Sequence, residues 1–186
     1  LPISDFPASR SITDIIHWTS VTVGDYTKLN VIGDPFNSGS LTLNAFNRIL
    51  AKDRVKLAAG GAIAVATAES IIRALTNKAI VNIGENARLI SVGDINLSAL
   101  AWAEIETKVD VTTWGAASAA SGKTIARVDA ENVVTLEKYA YLFSEGVVNL
   151  MTGKNSLGQI NNLNVRARTD IDNNGVLPDR KSTRLN

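Results

Sequence analysis

The sequence contains no cysteine, a single histidine and few aromatic side chains. The absence of cysteine excludes a disulfide framework and thiolate metal sites. Aromatic residues make up 5% of the chain although 45% is hydrophobic, so the apolar content is mostly Ala, Val, Ile and Leu, which suits thin, repetitive packing. The formal net charge of +1 indicates neither a nucleic-acid groove nor an acidic surface. No apolar run approaches the roughly 18 residues of a membrane span.

The two ends of the 186-residue chain differ from its middle. Residues 1–10 have neither the basic start nor the apolar stretch of a signal peptide, so we expect the beginning of the protein to be missing. Residues 179–186, DRKSTRLN, resemble the translation of a sequencing-adapter oligonucleotide; a basic disordered tail is the alternative. We therefore divide the chain into an irregular or incomplete first coil (1–20), repeats (21–178) and a non-native tail (179–186).

The chain repeats itself at intervals of 53, 54 and 60 residues. At a shift of 53, residues 72–99 fall on 125–152 with apolar residues on apolar residues. At a shift of 60, residues 21–29 match 81–89, and 98–111 match 158–171. Residues 39–45 match 93–99 at a shift of 54, and 61–67 resemble the same half-unit again. Three residues recur unchanged 53 positions later: Ser91, Gly93 and Asn96 meet Ser144, Gly146 and Asn149.

Within each unit, apolar and polar residues alternate with a period of two, which is typical of short half-buried strands. Such strands bury their apolar face only when successive units stack. We therefore predict an all-β fold, a right-handed parallel β-helix of stacked short strands. Residues 62–80 are rich in Ala and could form a helix, but their alternation favours a strand. The side chains predicted to point inward are Ile83, Leu89, Ile95, Leu97, Leu136, Leu142, Val148 and Leu150.

One segment, ASAASGKT at 117–124, fits a loose phosphate-loop pattern. A working loop follows a buried strand and opens a helix, so that backbone N–H groups surround the phosphates and the lysine reaches them. Here Ala117 replaces the first glycine, and Ile125 begins a unit with strand alternation. We therefore predict that Lys123 is exposed on a loop between coils and that the chain binds no nucleotide.

A second segment resembles the first half of a calcium loop. Asp170, Asp172 and Asn174 are followed by Gly175, but position twelve is Lys181 instead of Glu. The repeat partner of this segment has no ligand residues after Asp110. A polar turn leaving the stack is the favoured interpretation, although calcium binding in an intact parent protein stays open.

Other candidate residues are dispersed along the sequence. Catalytic β-helices that cleave acidic polysaccharides cluster Asp with Lys or Arg on one face, whereas the aspartates here occur one per unit and suggest turns. His17 has no evident partner and is expected to be a surface or packing residue. Two tryptophans suit either sugar-binding platforms or the covered edges of the stack. The residues considered are Asp94, Asp110, Asp129, Asp170, His17, Trp102 and Trp114, and none is predicted to be catalytic, cofactor-binding or metal-binding.

Residues 81–99, VNIGENARLISVGDINLSA, resemble the repeats of large exported bacterial surface proteins of the filamentous-haemagglutinin type. Looser copies lie at 21–45 and 134–152, and 167–178 resemble a connector of long repetitive exoproteins. The third copy departs from the pattern with Glu137 and Val147. The resemblance implies a non-enzymatic stalk or cell-contact module, secreted or displayed on a Gram-negative cell.

The same resemblance implies several partners: a secretion channel, and receptors or glycans on host or neighbouring cells. It implies no cofactor. Two other classes stay open as alternatives. One is a β-helix polysaccharide lyase, hydrolase or carbohydrate-binding solenoid, and the other is a nucleotide-binding protein.

Overall fold

The structure is a computed structural model that describes residues 4–33 and 39–178. Throughout this described part the chain forms strands and turns, with no helix. The expected non-native tail, 179–186, lies outside the described residues. The strands are β1 (Ser4–Asp5), β2 (Ala8–Val23), β3 (Lys28–Val31), β4 (Leu41–Ile83), β5 (Arg88–Ser91), β6 (Ile95–Leu136), β7 (Tyr141–Ser144), β8 (Val148–Thr152) and β9 (Asn162–Pro178).

All pairings between these strands are parallel, and the chain returns beside itself after each circuit. Val21 pairs with Val81, 60 residues later, and Ile83 pairs with Leu136, 53 residues later. The result is an all-β protein whose parallel strands form a curled sheet. We call each circuit a pass.

Three strips of strands run alongside one another. The outgoing arm contains 41–61 of β4, 95–115 of β6, then β8 and β9. The returning arm contains β1 and β2, 63–83 of β4 and 117–136 of β6. A narrow corner strip contains β3, β5 and β7.

The two arms face each other within each pass. In β4, Val55 and Ala59 pack with Ala64 and Ala68, so the strand doubles back between them. The bend lies at Gly61, whose φ is 152°. Gly61 pairs with Gly115, and a Cβ on Gly115 would lie 2.3 Å from the Gly61 carbonyl oxygen. A glycine is therefore required where the passes approach at the bend.

The predicted inward column forms the main core. Ile83, Leu89, Ile95 and Leu97 are fully buried, as predicted. Their partners on the next pass stack on them in register but are less covered, and Leu150 is 51% exposed. The register pairs are Ile83 with Leu136, Leu89 with Leu142, Ile95 with Val148 and Leu97 with Leu150.

The repeat intervals read from the sequence match the strand register over most of their length. From Leu41 onward, residues pair with residues 54 positions later, and from Val21 onward with residues 60 positions later. Pairing with residues 53 positions later begins only at Asn77. A bulge between Ala74 and Asn77 offsets the residues before it, so that Ile72 pairs with Ala126 and not with Ile125.

Three further expectations are corrected by the register. Residues 61–67 do not repeat 39–45, because they lie on the returning arm and pair with 115–121. The correspondence of 98–111 with 158–171 begins only at Trp102, since Ser98 pairs with Met151. Strands β4 and β6, of 43 and 42 residues, are far longer than the short strands predicted.

Residues 62–80 belong to β4, which confirms the strand interpretation of the Ala-rich stretch. The opening segment expected to be irregular or an incomplete coil contributes β2, a 16-residue strand paired with β4.

The polar residues that recur unchanged hold the corners of successive passes together. The Ser91 hydroxyl donates to the Gly39 carbonyl at 2.7 Å, and the Ser144 hydroxyl donates to the Gly93 carbonyl at the same distance. The Asn149 amide donates to Asn96 Oδ1 at 2.9 Å. Identity at these positions therefore reflects hydrogen bonds repeated from pass to pass.

Candidate functional site

Charged side chains are concentrated on the outer side of the outgoing arm. Alternate residues of this arm are buried inside the sheet, as Ile105 and Val109 are, while their neighbours project outward. We call the outward charged residues the charged face: Arg48, Lys52, Arg54, Lys56, Glu104, Glu106, Lys108, Asp110, Arg166, Arg168, Asp170 and Asp172.

Ion pairs on the charged face link neighbouring passes. Asp110 Oδ2 accepts from Arg54 Nη2 at 2.5 Å, and Asp110 Oδ1 lies 2.7 Å from Lys108 Nζ. Lys108 Nζ also lies 3.0 Å from Asp170 Oδ2, and Arg168 Nε donates to Asp170 Oδ1 at 2.9 Å. Asp110 and Asp170 are register partners on adjacent passes. The prediction that these aspartates are dispersed in turns is therefore wrong.

The ion pairs set the protonation behaviour of this cluster. Partial burial opposes ionisation of Asp110, but hydrogen bonds from Lys108 and Arg54 outweigh it and lower the pKa of its carboxyl. Hydrogen bonds from Arg168 and then Lys108 lower the pKa of Asp170. The bonds from Asp110 and Asp170 raise the pKa of Lys108. These shifts favour the charged forms of Asp110, Asp170 and Lys108.

A shallow, widely open surface cavity of about 380 Å³ lies beside this cluster. Among the described residues, Lys56 on its rim has no carboxylate within salt-bridge distance, whereas Arg54 is paired. Trp114 follows Thr112 on the same outer side and is half exposed. The lining residues are Arg54, Lys56, Leu57, Ala58, Asp110 and Thr112.

Both tryptophans considered as sugar platforms lie on this side of the outgoing arm. The Arg48 guanidinium lies over the Trp102 ring, 4.5 Å from its centroid. A Cβ added to Gly60 would lie 2.0 Å from Trp114 Nε1, so the indole covers the Gly60 backbone. The Trp102 ring is thus covered by a cation, while Trp114 is half exposed, two residues beyond Thr112 of the cavity lining.

The segment that resembles a phosphate loop is part of a strand. Residues 117–124 lie within β6 and pair with 63–70 of β4, and β6 continues as a strand to Leu136. Lys123 is 62% exposed, as predicted, but lies on a strand and not on a loop. Its Nζ is 2.8 Å from Glu69 Oε1. The strand–loop–helix geometry of a phosphate loop is not formed here.

The segment with the calcium-loop spacing is also extended. Asp170, Asp172, Asn174 and Gly175 belong to β9 and pair with 110–115 of β6, so the interpretation as a turn leaving the stack is wrong. Lys181 lies outside the described residues. Within 4–33 and 39–178, no group of three His, Asp or Glu side chains could hold a metal ion.

His17 has a partner that the sequence did not reveal. It lies in β2, and its Nδ1 is hydrogen-bonded to Asn47 Oδ1. The Asn47 amide in turn donates to the carbonyls of His17 at 2.8 Å and Lys78 at 3.1 Å. Asn47 thus joins β2 to the two arms of β4, and the His17 ring adds one bond to that junction.

The remaining two aspartates lie away from the charged face. Asp94 Oδ1 accepts from the Val147 backbone N–H at 2.9 Å at a corner between passes. Asp129 pairs with Arg127 on the returning arm, 2.8 Å from its Nη2. Neither contacts Asp110 or Asp170, so the structure brings together two of the four aspartates considered.

No protein-family model, curated protein or solved structure matches the chain. The described residues also contain no helix of the length and apolar character needed to cross a membrane.

Proposed function

We propose that this chain is a non-enzymatic stalk or cell-contact segment of a large bacterial adhesin, secreted or displayed on a Gram-negative surface. In this proposal the curled sheet is a right-handed parallel β-helix. The protein leaves the cell through a secretion channel and contacts receptors or glycans on host or neighbouring cells.

The observation that carries the proposal is the register between passes. Successive passes repeat the same contacts, from the buried apolar column to the bonds that Ser91 donates to the Gly39 carbonyl and Ser144 donates to the Gly93 carbonyl. Such repetition extends a rigid body in one direction without requiring a new core, which is what a stalk needs. The resemblance of residues 81–99 to exported repeat proteins supports the same function.

Surface location is the property that tests this proposal. Antibodies raised against the folded chain should label intact cells of the organism that encodes it, and external protease should remove the label. Labelling that requires permeabilised cells, with the protein recovered only from the cytosolic fraction, would contradict it.

The cavity beside Trp114 favours a second candidate, a carbohydrate-binding solenoid. The cavity is lined by the polar groups of Arg54, Lys56 and Asp110. Trp114, two residues beyond Thr112 on the same strand, is half exposed. An exposed aromatic ring near polar side chains is typical of sugar sites. Binding is favoured over cleavage, because both Asp110 oxygens already accept from cations and its lowered pKa makes it a weak base.

A glycan array followed by titration with the best ligand tests this candidate. Trp114→Ala should abolish binding, whereas Trp18→Ala, which removes a comparably exposed ring from the opposite arm, should not. Equal losses in both variants would contradict a site at the cavity. Release of unsaturated or reducing sugars from polyuronates would instead establish an enzyme.

A further inference from the structure

All three tyrosines of the chain lie at one corner of the stack, where the returning arm leads into the corner strip. Tyr26 and Tyr139 belong to the turns before β3 and β7, and Tyr141 begins β7. Their exposed fractions are 76%, 68% and 50%. Because aromatic residues are scarce in this chain, core packing does not explain why they gather at an exposed place. We call Tyr26, Asn86, Tyr139 and Tyr141 the aromatic corner.

The turns of the aromatic corner repeat in register on three passes. The backbone N–H of Tyr26 donates to the Glu85 carbonyl at 2.8 Å, and the N–H of Asn86 donates to the Lys138 carbonyl at 3.1 Å. Tyr26, Asn86 and Tyr139 therefore occupy the same position of the turn on the first, second and third pass. Two passes separate the backbones of the two tyrosines, which is about 10 Å at the usual strand spacing.

The backbone at this position is left-handed on every pass. The φ angles of Tyr26, Asn86 and Tyr139 are 56°, 56° and 62°. Asn and Gly favour such a conformation in the third position of a turn, and Asn86 follows this preference. A bulky residue with positive φ is an outlier, and strain of this kind is concentrated at functional sites such as ligand clamps. Backbone conformation alone therefore does not explain a tyrosine on the first and third passes.

The outer side of this corner faces solvent independently of where the stack begins and ends. On the middle pass, which has a neighbouring pass on both sides, Glu85 and Arg88 of the same corner are exposed. Tyr26 and Tyr139 share their φ and their register, so their Cα–Cβ bonds point in the same direction. Both rings are thus presented on one outward surface, with Asn86 between them.

The polar groups around the rings indicate the class of ligand. Asn86 lies between the tyrosines, and Lys138 Nζ lies 4.8 Å from the centroid of the Tyr139 ring. Residues 24–28, 84–88 and 137–141 carry no net charge, because three acids are balanced by three bases. These charged residues are Asp25, Glu85, Glu137, Lys28, Arg88 and Lys138. Flat exposed rings with uncharged overall surroundings favour sugar rings, whose C–H faces stack on tyrosine and whose hydroxyls bond to the polar groups.

We propose that the aromatic corner binds a neutral glycan chain that runs along the stack and places one sugar ring on Tyr26 and another on Tyr139. A chain is required because a single sugar does not reach both tyrosines. The inference adds a glycan surface to the proposed function, but it requires neither surface location nor the cavity beside Trp114, which lies on the outgoing arm.

Affinity gel electrophoresis of the full chain in soluble neutral polysaccharides tests the proposal. The probes are hydroxyethylcellulose, mixed-linkage β-glucan and galactomannan, and at least one should retard the wild type. Tyr26→Asn and Tyr139→Asn should each weaken binding about tenfold or more, as expected for an aromatic anchor. Asn is the residue of the middle pass at this position, so thermal stability should be kept or increased. Tyr26→Phe preserves the ring and should retain most of the binding.

Oligosaccharides of the retarding polysaccharide provide a second measurement by isothermal titration calorimetry. Affinity should rise sharply at the chain length that reaches both rings, because the second contact is then intramolecular. This step should be absent in Tyr26→Asn and in Tyr139→Asn. Trp114→Ala is the control and should bind like wild type, which separates the aromatic corner from the cavity.

Failure of every neutral polysaccharide to retard the wild type would overturn the proposal. So would undiminished retardation of the double variant Tyr26→Asn, Tyr139→Asn, or an equal loss of binding in Trp114→Ala. Binding only to anionic alginate or to a proline-rich peptide would reject a neutral glycan as the ligand. A fall in the thermal midpoint of both Asn variants would show that the tyrosines serve packing instead.

Discussion

Lys123 Nζ lies 2.8 Å from Glu69 Oε1, while Arg10 on the opposite neighbouring pass contacts Oε2 of the same carboxylate at 2.6 Å. A carboxylate between two cations forms a charge ladder that runs across three passes of the returning arm. The lysine that gives residues 117–124 their phosphate-loop appearance thus has a partner of its own.

Lys123→Ala should change stability only slightly, because exposed ion pairs contribute little. We expect the midpoint of thermal unfolding to move by about 2 °C or less. Titration with labelled ATP should show no binding in either the wild type or the variant. Wild-type binding that disappears in Lys123→Ala would revive the nucleotide-binding alternative.

Stability should fall on acidification because several carboxylates titrate below their ordinary range. The Lys123 hydrogen bond, with Arg10, lowers the pKa of Glu69 from its ordinary 4.5, and the Arg73 hydrogen bond lowers that of Asp14 from 3.8. Their contribution is complete above those ordinary values and is lost as pH falls through the folded-state values.

The thermal midpoint should therefore be level from neutral pH to about pH 5 and drop below it. In the double variant Asp14→Asn, Glu69→Gln, the thermal midpoint should fall less steeply below about pH 5. The pKa of Lys108 is raised, so its contribution to stability is affected at alkaline pH instead. That contribution should be lost as pH rises above about 10.5. An equal fall of the thermal midpoint in the wild type and the double variant would contradict the roles given to Asp14 and Glu69.

Gly115→Ala should destabilise the bend between the arms. The added Cβ would lie 2.3 Å from the Gly61 carbonyl oxygen, and a displaced backbone of this kind costs about 1–3 kcal/mol. Gly24→Ala is the control, since its nearest atom would be Thr27 Oγ1 at 3.5 Å. Chemical denaturation measures both, and equal losses would mean that the bend is not closely packed.

Leu97 and Leu150 occupy the same column but should differ in their contribution to stability. Leu97→Ala leaves a cavity around a fully buried position and should cost about 2–5 kcal/mol. Leu150→Ala should cost less than half as much in dilute solution, because that side chain is 51% exposed. Denaturation at low protein concentration compares them, and similar losses would indicate that Leu150 is covered by something else.

The pattern of the fold could be predicted from the sequence because repetition records the register directly. Intervals of 54 and 60 correspond to paired residues such as Leu41 with Ile95 and Val21 with Val81. The bulge between Ala74 and Asn77 could not be seen, since apolar residues on both sides of it permit either alignment. The two long arms were not predicted because nothing in the sequence marks the bend at Gly61. The alternation of residues continues through that position.

The charged face was missed for a different reason. The 60-residue repeat matches Asp170 with Asp110, but in the sequence that match served only to judge the calcium-loop pattern. The register of β6 with β9 places the two carboxylates side by side, and the cations around them come from other positions of the repeat. His17 offered no comparable signal, because its partner Asn47 lies on the other arm and not at a repeat interval.

The stacking of passes is tested most directly by cysteine pairs placed in register. The chain has no cysteine, so Asn82→Cys with Thr135→Cys creates one pair of thiols at positions that the register makes neighbours. Under mild oxidation this pair should form an intramolecular disulfide nearly completely. Asn82→Cys with Glu131→Cys, displaced along the strand by four residues, should form almost none. Equal yields in the two variants, or none in the first, would contradict in-register passes.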